Sequence, residues 1–397
     1  MSTQNNYWHR SVISIAMIAT GIFFLISPHV RGNSDFVALG AELNHLQATQ
    51  NPQQSDGMPT FENAKVETRA LSGVLSEEIS RWSKAAGQPQ WLGYSVPAVN
   101  GERVICCGGN GDWNWNKGCG TCLLEDHRHG NNFTSSSSNK TQLESTRNVV
   151  ILYRANGGAL EKIRVVSDVC IIDAGGLRVT WLTGVNPAQS VEYLSGLVRG
   201  QDVHEGRWEK LPQGALTAMA MHADSSADKA MNSFVESSQP ESLRKQTVFW
   251  LGEARGASGF QTLKKLAKTE TSTEVRSQIT FALSLNHEPG SLDEMIRMAR
   301  EDESTHVRGQ ALFWLAQKAG QKAASTITGA IENDPDTEVK KKAVFALSQM
   351  PHEEGVPKLI QVAQSNKNPE VRKQAMFWLG QTNDPRALEF FEKILSK

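Results

Sequence analysis

The C-terminal half of the chain repeats one short sequence at a fixed interval. Its copies begin at Leu243, Val275, Val307, Val339 and Val371, so the starting positions differ by 32 residues each time. Each copy has Arg or Lys at its second position, Phe at its seventh and Leu at its ninth. One interval further back, a degenerate copy runs from Leu211 to Met219. Because five copies keep register without an insertion, we predict a stack of six similar units.

Each interval has room for two helices. In the first helix, apolar residues occur mostly at the first, fifth, sixth and ninth positions of the repeated sequence, which lie on one helical face. Preferred N-cap residues precede four copies by three positions: Ser272, Ser304, Asp336 and Asn368. The second helix follows a turn and has an apolar stripe such as Val356, Leu359 and Val362. A single helix pair cannot bury these stripes, so neighbouring pairs are predicted to pack into an α-solenoid.

Three short sequences give this region a resemblance to a known family. They are the Val-Arg-x-Gln-Ala start of the repeat, the Trp378-Leu379-Gly380 end and the opening Asp384-Pro385-Arg386-Ala387 of the last second helix. Over residues 211–397 the chain resembles the bacterial HEAT-like repeats named after phycobilisome lyases. The resemblance implies an armadillo-type α-α superhelix. It also implies a protein-binding adaptor or scaffold, since such repeats mostly bind proteins.

The resemblance leaves an enzyme as the alternative, either a bilin lyase or a metal-dependent hydroxylase whose di-iron centre is held by His-Glu pairs. In the hydroxylase type the pairs stand at the start of the first helices. There this chain has Lys245-Gln246, Ser277-Gln278, Gly309-Gln310, Lys341-Lys342 and Lys373-Gln374. His287-Glu288 and His352-Glu353 fall in turns, two repeats apart. We therefore predict no catalytic residue, no metal site and no cofactor, and an enzyme is the less favoured interpretation.

We expect a protein partner on the concave face of the solenoid, which the second helices are predicted to form. The candidate binding residues are Lys265, Arg297 and Lys358, which are predicted to be exposed and roughly aligned along that face. The whole chain has 41 Lys and Arg against 42 Asp and Glu, a net charge of −1. This balance excludes the broad basic surface of a typical nucleic-acid-binding protein, so we expect no nucleic-acid partner.

The eighth position of the repeated sequence alternates between a large and a small residue. Trp250, Trp314 and Trp378 alternate there with Ala282 and Ala346. One interpretation is an aromatic row that binds a ligand. The favoured interpretation is core packing, because a large residue beside a small one fills space without voids.

Residues 66–208 are predicted to form a small α+β domain with a mainly antiparallel sheet. Short β-prone runs, among them Trp91–Val96, Asn148–Arg154 and Leu177–Leu182, are separated by glycine-rich turns. Helical spacing of apolar residues predicts a helix over Ala70–Ala86, and Pro187 opens a second helix with Asn186 as its N-cap. We assign this region to no characterised family.

All five cysteines fall in this domain: Cys106, Cys107, Cys119, Cys122 and Cys170. The stretch from Cys106 to Cys122 has few large aliphatic residues, so cross-links would hold it better than burial. We favour structural disulfides with one thiol left over. A zinc site that includes the Cys119-x-x-Cys122 pair and a redox-active pair are the alternatives.

The N-terminal segment, residues 1–32, contains a run from Ser11 to Val30 without Asp, Glu, Lys or Arg. After the cationic flank His9-Arg10, such a run indicates a cleaved signal peptide or a single transmembrane anchor. A buried core helix is the third possibility. Residues 33–65 are polar and are predicted to be a disordered linker. We therefore expect an extracytoplasmic location in the cell envelope, periplasmic or secreted, with membrane contact through the N-terminal segment alone.

Overall fold

The computed structural model describes residues 57–99, 122–125, 147–199, 210–318 and 320–396. All of these residues lie in one compact unit, Gln53–Lys397. The unit begins with two β-sheets and two helices and continues as a stack of helix pairs. Within the described ranges, no helix is both long enough and apolar enough to cross a membrane. The N-terminal segment and most of the predicted linker lie outside those ranges.

The described strands form a five-stranded and a three-stranded sheet. In chain order the strands are β1 (Thr60–Glu62), β2 (Lys65–Ala70), β3 (Gln90–Pro97), β4 (Cys122–Leu123), β5 (Asn148–Asn156), β6 (Ala159–Ser167), β7 (Ile171–Asp173) and β8 (Arg178–Thr183). The larger sheet has the order β2-β8-β3-β5-β6 and the smaller sheet the order β1-β7-β4.

Both sheets differ from the mainly antiparallel sheet that the sequence predicts. Strands β2 and β3 run parallel to β8, which lies between them, and only the β3–β5 and β5–β6 pairs are antiparallel. The smaller sheet is entirely parallel. The larger sheet is therefore mixed. Short hairpin turns in the sequence identify antiparallel neighbours such as β5 and β6, but they contain no signal for strands that pair across a long crossover.

Side chains alternate between the two faces of the larger sheet. Leu92, Tyr94 and Tyr153 face the helices α1 (Leu75–Lys84) and α2 (Pro187–Arg199) in the main hydrophobic core. On the opposite face, Trp91 and Trp181 pack in a second core that includes residues of the smaller sheet. Because both faces are covered, the central strands β3 and β5 are almost continuously buried.

The helix pairs follow at the predicted interval. The first helices of the pairs are α3 (Lys210–Met221), α5 (Glu241–Ala254), α7 (Thr273–Leu285), α9 (Thr305–Lys318), α11 (Thr337–Ser348) and α13 (Pro369–Gln381). The second helices are α4 (Ser225–Phe234), α6 (Gly256–Thr269), α8 (Gly290–Glu301), α10 (Gln321–Asn333), α12 (His352–Ser365) and α14 (Pro385–Leu395). The described residues thus contain six helix pairs, which confirms the predicted α-solenoid.

Three of the four predicted N-caps make the expected hydrogen bond. Ser272, Asp336 and Asn368 accept from backbone N–H groups in the first turns of α7, α11 and α13. Asn186 likewise accepts from the N–H of Ala188 at the start of α2. These bonds fix where each helix begins, so they set the helix boundaries that the sequence predicts.

The sheet and the helix stack share one hydrophobic core. Helix α3 packs on β6 so closely that a Cβ atom at Gly214 would lie 2.7 Å from the Cβ atom of Ile163. The turn after α3 pairs with the end of β3, where the N–H of Ala223 donates to the carbonyl of Pro97. Residues 200–209, where the sequence places the domain boundary, lie outside the described ranges.

Two element boundaries before β3 differ from the sequence prediction. Strand β1 lies inside the predicted linker, and its backbone pairs with β7. The predicted helix over Ala70–Ala86 is shorter, because Ala70 ends β2, a short connection follows, and α1 spans only Leu75–Lys84. Val66 and Val74 are exposed. Apolar spacing alone therefore placed this helix start too early.

Candidate protein-binding surface

The first helices share one partly exposed face. In α5 this face contains Gln246, Phe249 and Glu253, which recur about one helical turn apart and are half-buried, whereas Val248 and Leu251 are buried. The equivalent positions are at least partly exposed in each of the four helix pairs that follow. The five helix pairs from α5 to α14 therefore each present an equivalent strip of side chains.

Aromatic side chains run along this face. Phe249, Phe281, Phe313 and Phe345 are half-buried and Phe377 is exposed. We call these five residues, with Trp314 and Trp378, the aromatic row. The ring centroids of Phe249 and Phe281 lie 6.0 Å apart and those of Phe313 and Phe345 5.9 Å apart. The rings of neighbouring repeats are thus in contact across the helix–helix interfaces.

The tryptophans connect the phenylalanines into a continuous row. Trp314 lies 4.5 Å from Phe281 and 4.9 Å from Phe313, measured between ring centroids. Trp378 lies 4.9 Å from Phe345 in the same way. Trp314 and Trp378 are half-buried, but Trp250 is buried with 5% of its surface exposed. Trp250 is therefore a core residue, whereas Trp314 and Trp378 lie partly at the surface.

Amide and ammonium groups lie beside the aromatic row. Gln246, Gln278, Gln310 and Gln374 occupy one equivalent position and are half-buried, and Lys342 replaces glutamine in α11. The side chain of Lys342 lies over Gly309 of the preceding repeat, where a Cβ atom would overlap it. Aromatic rings flanked by such groups offer a partner both apolar contact and hydrogen bonds.

Buried arginines hold the first helices in register. Arg276 pairs with Asp302 at 3.0 Å, and Arg308 pairs with Asp334 at 2.9 Å. The backbone carbonyl of Asp302 also accepts a hydrogen bond from Arg308 of the next repeat at 2.9 Å. Asp302 thus contacts the arginines of two successive repeats, which ties the first helices α7 and α9 to each other.

The predicted binding residues do not form one aligned set. Lys265 is exposed on α6. Arg297 of α8 is half-buried, forms an ion pair with Glu294 at 2.7 Å and donates to the carbonyl of Ala267 at 3.2 Å. Lys358 of α12 is half-buried and occupies the repeat position of Glu294, since 358 and 294 differ by two intervals of 32. The role of these three residues in binding stays a prediction.

The two His-Glu sequences lie in different repeats and have separate surroundings. His287 is exposed. His352 lies 3.9 Å from Asp384, and Glu353 pairs with Arg386 at 2.8 Å. Across the described ranges, no three His, Cys, Asp or Glu residues are grouped as a metal site would require.

Of the five cysteines, the structure describes two. Cys122 and Cys170 are fully buried in the second core, and each is in a disulfide bond. Glu125, at the other end of the segment 122–125, pairs with Arg154 at 2.9 Å and accepts from the indole N–H of Trp91 at 2.8 Å. Glu125 therefore holds this segment to the larger sheet by ion pairing with β5 and by a hydrogen bond from β3. Cys106, Cys107 and Cys119 lie outside the described ranges, so the pairing stays a prediction.

Comparison with known proteins identifies the repeat type. The sequence profile of HEAT repeats matches residues 324–397, and the helix pairs extend the same architecture back to α3. The repeat region is therefore built of HEAT repeats, as the sequence predicts, and the middle region stays unassigned. No curated protein matches the sequence of the chain significantly.

Several solved structures of differently named proteins are similar in fold to this chain. A complex of CpcE and CpcF of phycocyanin lyase from Nostoc sp. PCC7120 is 18% identical, covers 39% of this chain and 99% of that chain, and has a TM-score of 0.31. Human deoxyhypusine hydroxylase is 16% identical, covers 52% of this chain and 90% of that chain, and has a TM-score of 0.23. A condensin subcomplex from S. pombe is 17% identical, covers 52% of this chain and 28% of that chain, and has a TM-score of 0.33.

Proposed function

We propose that this protein is an adaptor that binds a protein partner through the aromatic row on its first helices. The observation that carries the proposal is the partial exposure of equivalent phenylalanines in successive repeats. Aromatic side chains dominate the energetics of protein interfaces, because they bury a large area at a small cost in conformational entropy. A row that crosses several repeats suits a partner that contacts several first helices at once.

We further propose that the adaptor works outside the cytoplasm, either exported or anchored by its N-terminal segment. Two sequence features support this location: the uncharged run from Ser11 to Val30 after a cationic flank, and the clustering of the five cysteines in one domain. The disulfide bonds of Cys122 and Cys170 are compatible with an oxidising compartment.

Affinity capture with the full chain tests the binding surface. We expect the double variant Phe281→Ala/Phe313→Ala to lose most partner capture, because it removes two adjacent rings of the aromatic row. The matched control is Lys265→Glu/Lys358→Glu on the second helices, which should retain capture. The reverse result would move the binding surface to the predicted second-helix face. Thermal melting of each variant distinguishes lost binding from lost folding.

A thiol count tests the location. If four cysteines are paired in the envelope, denatured protein isolated without reductant should react at one thiol per chain, and reduced protein at all five cysteines. Five reactive thiols without reduction would contradict both the disulfides and the extracytoplasmic proposal.

A further inference from the structure

Large apolar side chains are exposed together on one helix pair. On α13 and α14 the exposed fractions are 36% for Met376, 54% for Phe377, 62% for Leu388, 39% for Ile394 and 84% for Leu395. We call these five residues the end face. They make up most of the exposed large apolar side chains in the described part of the chain. A patch of this kind marks an interaction surface.

The repeat itself identifies what this face is built to contact. The equivalent residues one interval of 32 earlier are Val344, Phe345, Val356, Val362 and Ala363. Val344, Val356, Val362 and Ala363 are buried, and the helices that contain them, α11 and α12, pack against α13. The end face therefore has the chemistry of a repeat–repeat interface, and it fits a pair of helices of the same kind.

We propose that the end face binds the end face of a second copy of this chain, which gives a closed dimer with twofold symmetry. A head-to-tail stack is excluded, because the opposite side of the solenoid is covered by the sheet. There α3 packs on β6, with Gly214 against Ile163. A second copy therefore offers no free helix pair at that side, and the matching helical surface that it offers is its own end face.

The charges around the end face agree with self-association. Lys373 on α13 and Glu389, Glu392 and Lys393 on α14 are exposed within about one turn of the apolar residues. Two positive and two negative groups leave no net charge, so two identical faces meet without net repulsion.

The proposal is separate from partner binding, which uses the exposed strip along the first helices. Phe377 belongs to both surfaces, so it is left unchanged in the test. Dimerisation through the end face would leave Phe249, Phe281, Phe313 and Phe345 accessible. Two aromatic rows in one assembly would then bind a repetitive or dimeric partner more tightly through avidity.

Sedimentation velocity of the purified full chain over a wide concentration range tests the proposal. We expect a dimer for the unaltered chain and a monomer for Leu388→Glu/Leu395→Glu, because two charges on each face oppose burial. The matched control is Val74→Glu, which places a charge on an apolar residue of 45% exposure far from the end face in sequence and should leave the dimer intact. Should the glutamate variant fail to fold, Leu388→Ala/Leu395→Ala should raise the dimer dissociation constant at least tenfold.

Three results would overturn the proposal: a monomer at every concentration, a dimer unaffected by both Leu388/Leu395 variants, or growth into open chains. Partner capture by Leu388→Glu/Leu395→Glu is measured in parallel. Capture should persist in the monomer, so a failure of the dimer and a failure of the adaptor function give different results.

Discussion

At the scale of single residues, the solenoid depends on buried ion pairs that repeat with the sequence. Arginine at the second position pairs with an acidic residue 26 positions later, as Arg276 does with Asp302 and Arg308 with Asp334. In the next repeat both partners change together, to Lys340 and Asn366. The sequence contains this pairing as a fixed spacing of 26 residues between arginine and its acidic partner. The fold prediction rests on the periodicity of apolar residues, which does not reveal the ion pairs.

Removal of one partner of such a pair should be costly. We expect Arg308→Ala to lower the free energy of unfolding by ~3–5 kcal/mol, because Asp334 would be left buried without its counter-ion. Lys340→Ala, at the equivalent and more accessible position, should change it by less than ~1 kcal/mol. Urea denaturation of both variants measures the difference. Equal, small losses would show that the arginines do not hold the repeats together.

A second residue-scale feature is a buried histidine where the sheet meets the solenoid. His222 is fully buried, and its Nε2 atom has no hydrogen-bond partner. Its backbone carbonyl accepts from Arg255 at 2.5 Å, and its Nδ1 atom accepts from the N–H of Asp224 at 3.4 Å. Burial lowers the pKa of His222 to about 4 from its usual value of 6.5, although the negative charge of Asp224 acts to raise this pKa.

This pKa predicts a loss of stability in acid. Between pH 6.5 and about 4 the unfolded chain binds a proton at His222 that the folded chain does not. Stability should therefore be complete above pH 6.5 and fall as the pH drops through this window, by roughly 3 kcal/mol in total at about 1.4 kcal/mol per pH unit. His222→Asn should flatten the urea-denaturation profile between pH 7 and 4, and His287→Asn, at an exposed site, should not. An unchanged slope in His222→Asn would contradict the assignment.

At the scale of elements, the first helices pack closely because small residues stand at their contacts. A Cβ atom at Gly252 of α5 would overlap the carbonyl oxygen of Ala282 in α7. The alternation of tryptophan with alanine serves the same packing, since Ala282 leaves room beside Phe281 for the ring of Trp314. These contacts bring the aromatic row together from separate repeats.

Glycine substitutions test this close approach. We expect Gly252→Ala to lower the free energy of unfolding by about 1–3 kcal/mol, because the helices must separate to admit the methyl group. Gly329 in α10 is the matched control, since no atom outside its own helix and chain neighbours lies within 4 Å of a Cβ built there. Gly329→Ala should be neutral or stabilise by up to ~1 kcal/mol through helix propensity. Thermal or urea unfolding distinguishes the two, and similar values would refute the close contact.

The elements also show what the sequence could and could not predict. Regular spacing and local caps, such as Ser272 before α7 and Asn186 before α2, predicted helices whose stability is largely local. The parallel pairing of β2 with β8 joins residues such as Lys65 and Arg178, which local patterns cannot connect. The aromatic row was visible as phenylalanine at the seventh position, but exposure depends on how neighbouring helices approach, so the sequence did not identify it as a surface.

At the scale of the whole molecule, one hydrophobic core runs from the sheet into the HEAT repeats. This continuity makes the sheet a cap for the first repeat, because α3 is covered by β6. The described part of the solenoid exposes apolar side chains along the first helices and on the end face of α13 and α14. The account assigns a protein partner to the former and a second copy of the chain to the latter.

Site-specific photocrosslinking in living cells tests the central claim most directly. A benzoyl-phenylalanine placed at Phe313, in the middle of the aromatic row, should form a covalent adduct with a discrete partner protein. The same group at Lys358 on α12 should form none, because the second helices lie outside the proposed surface. Adducts at Lys358 and none at Phe313 would contradict the account.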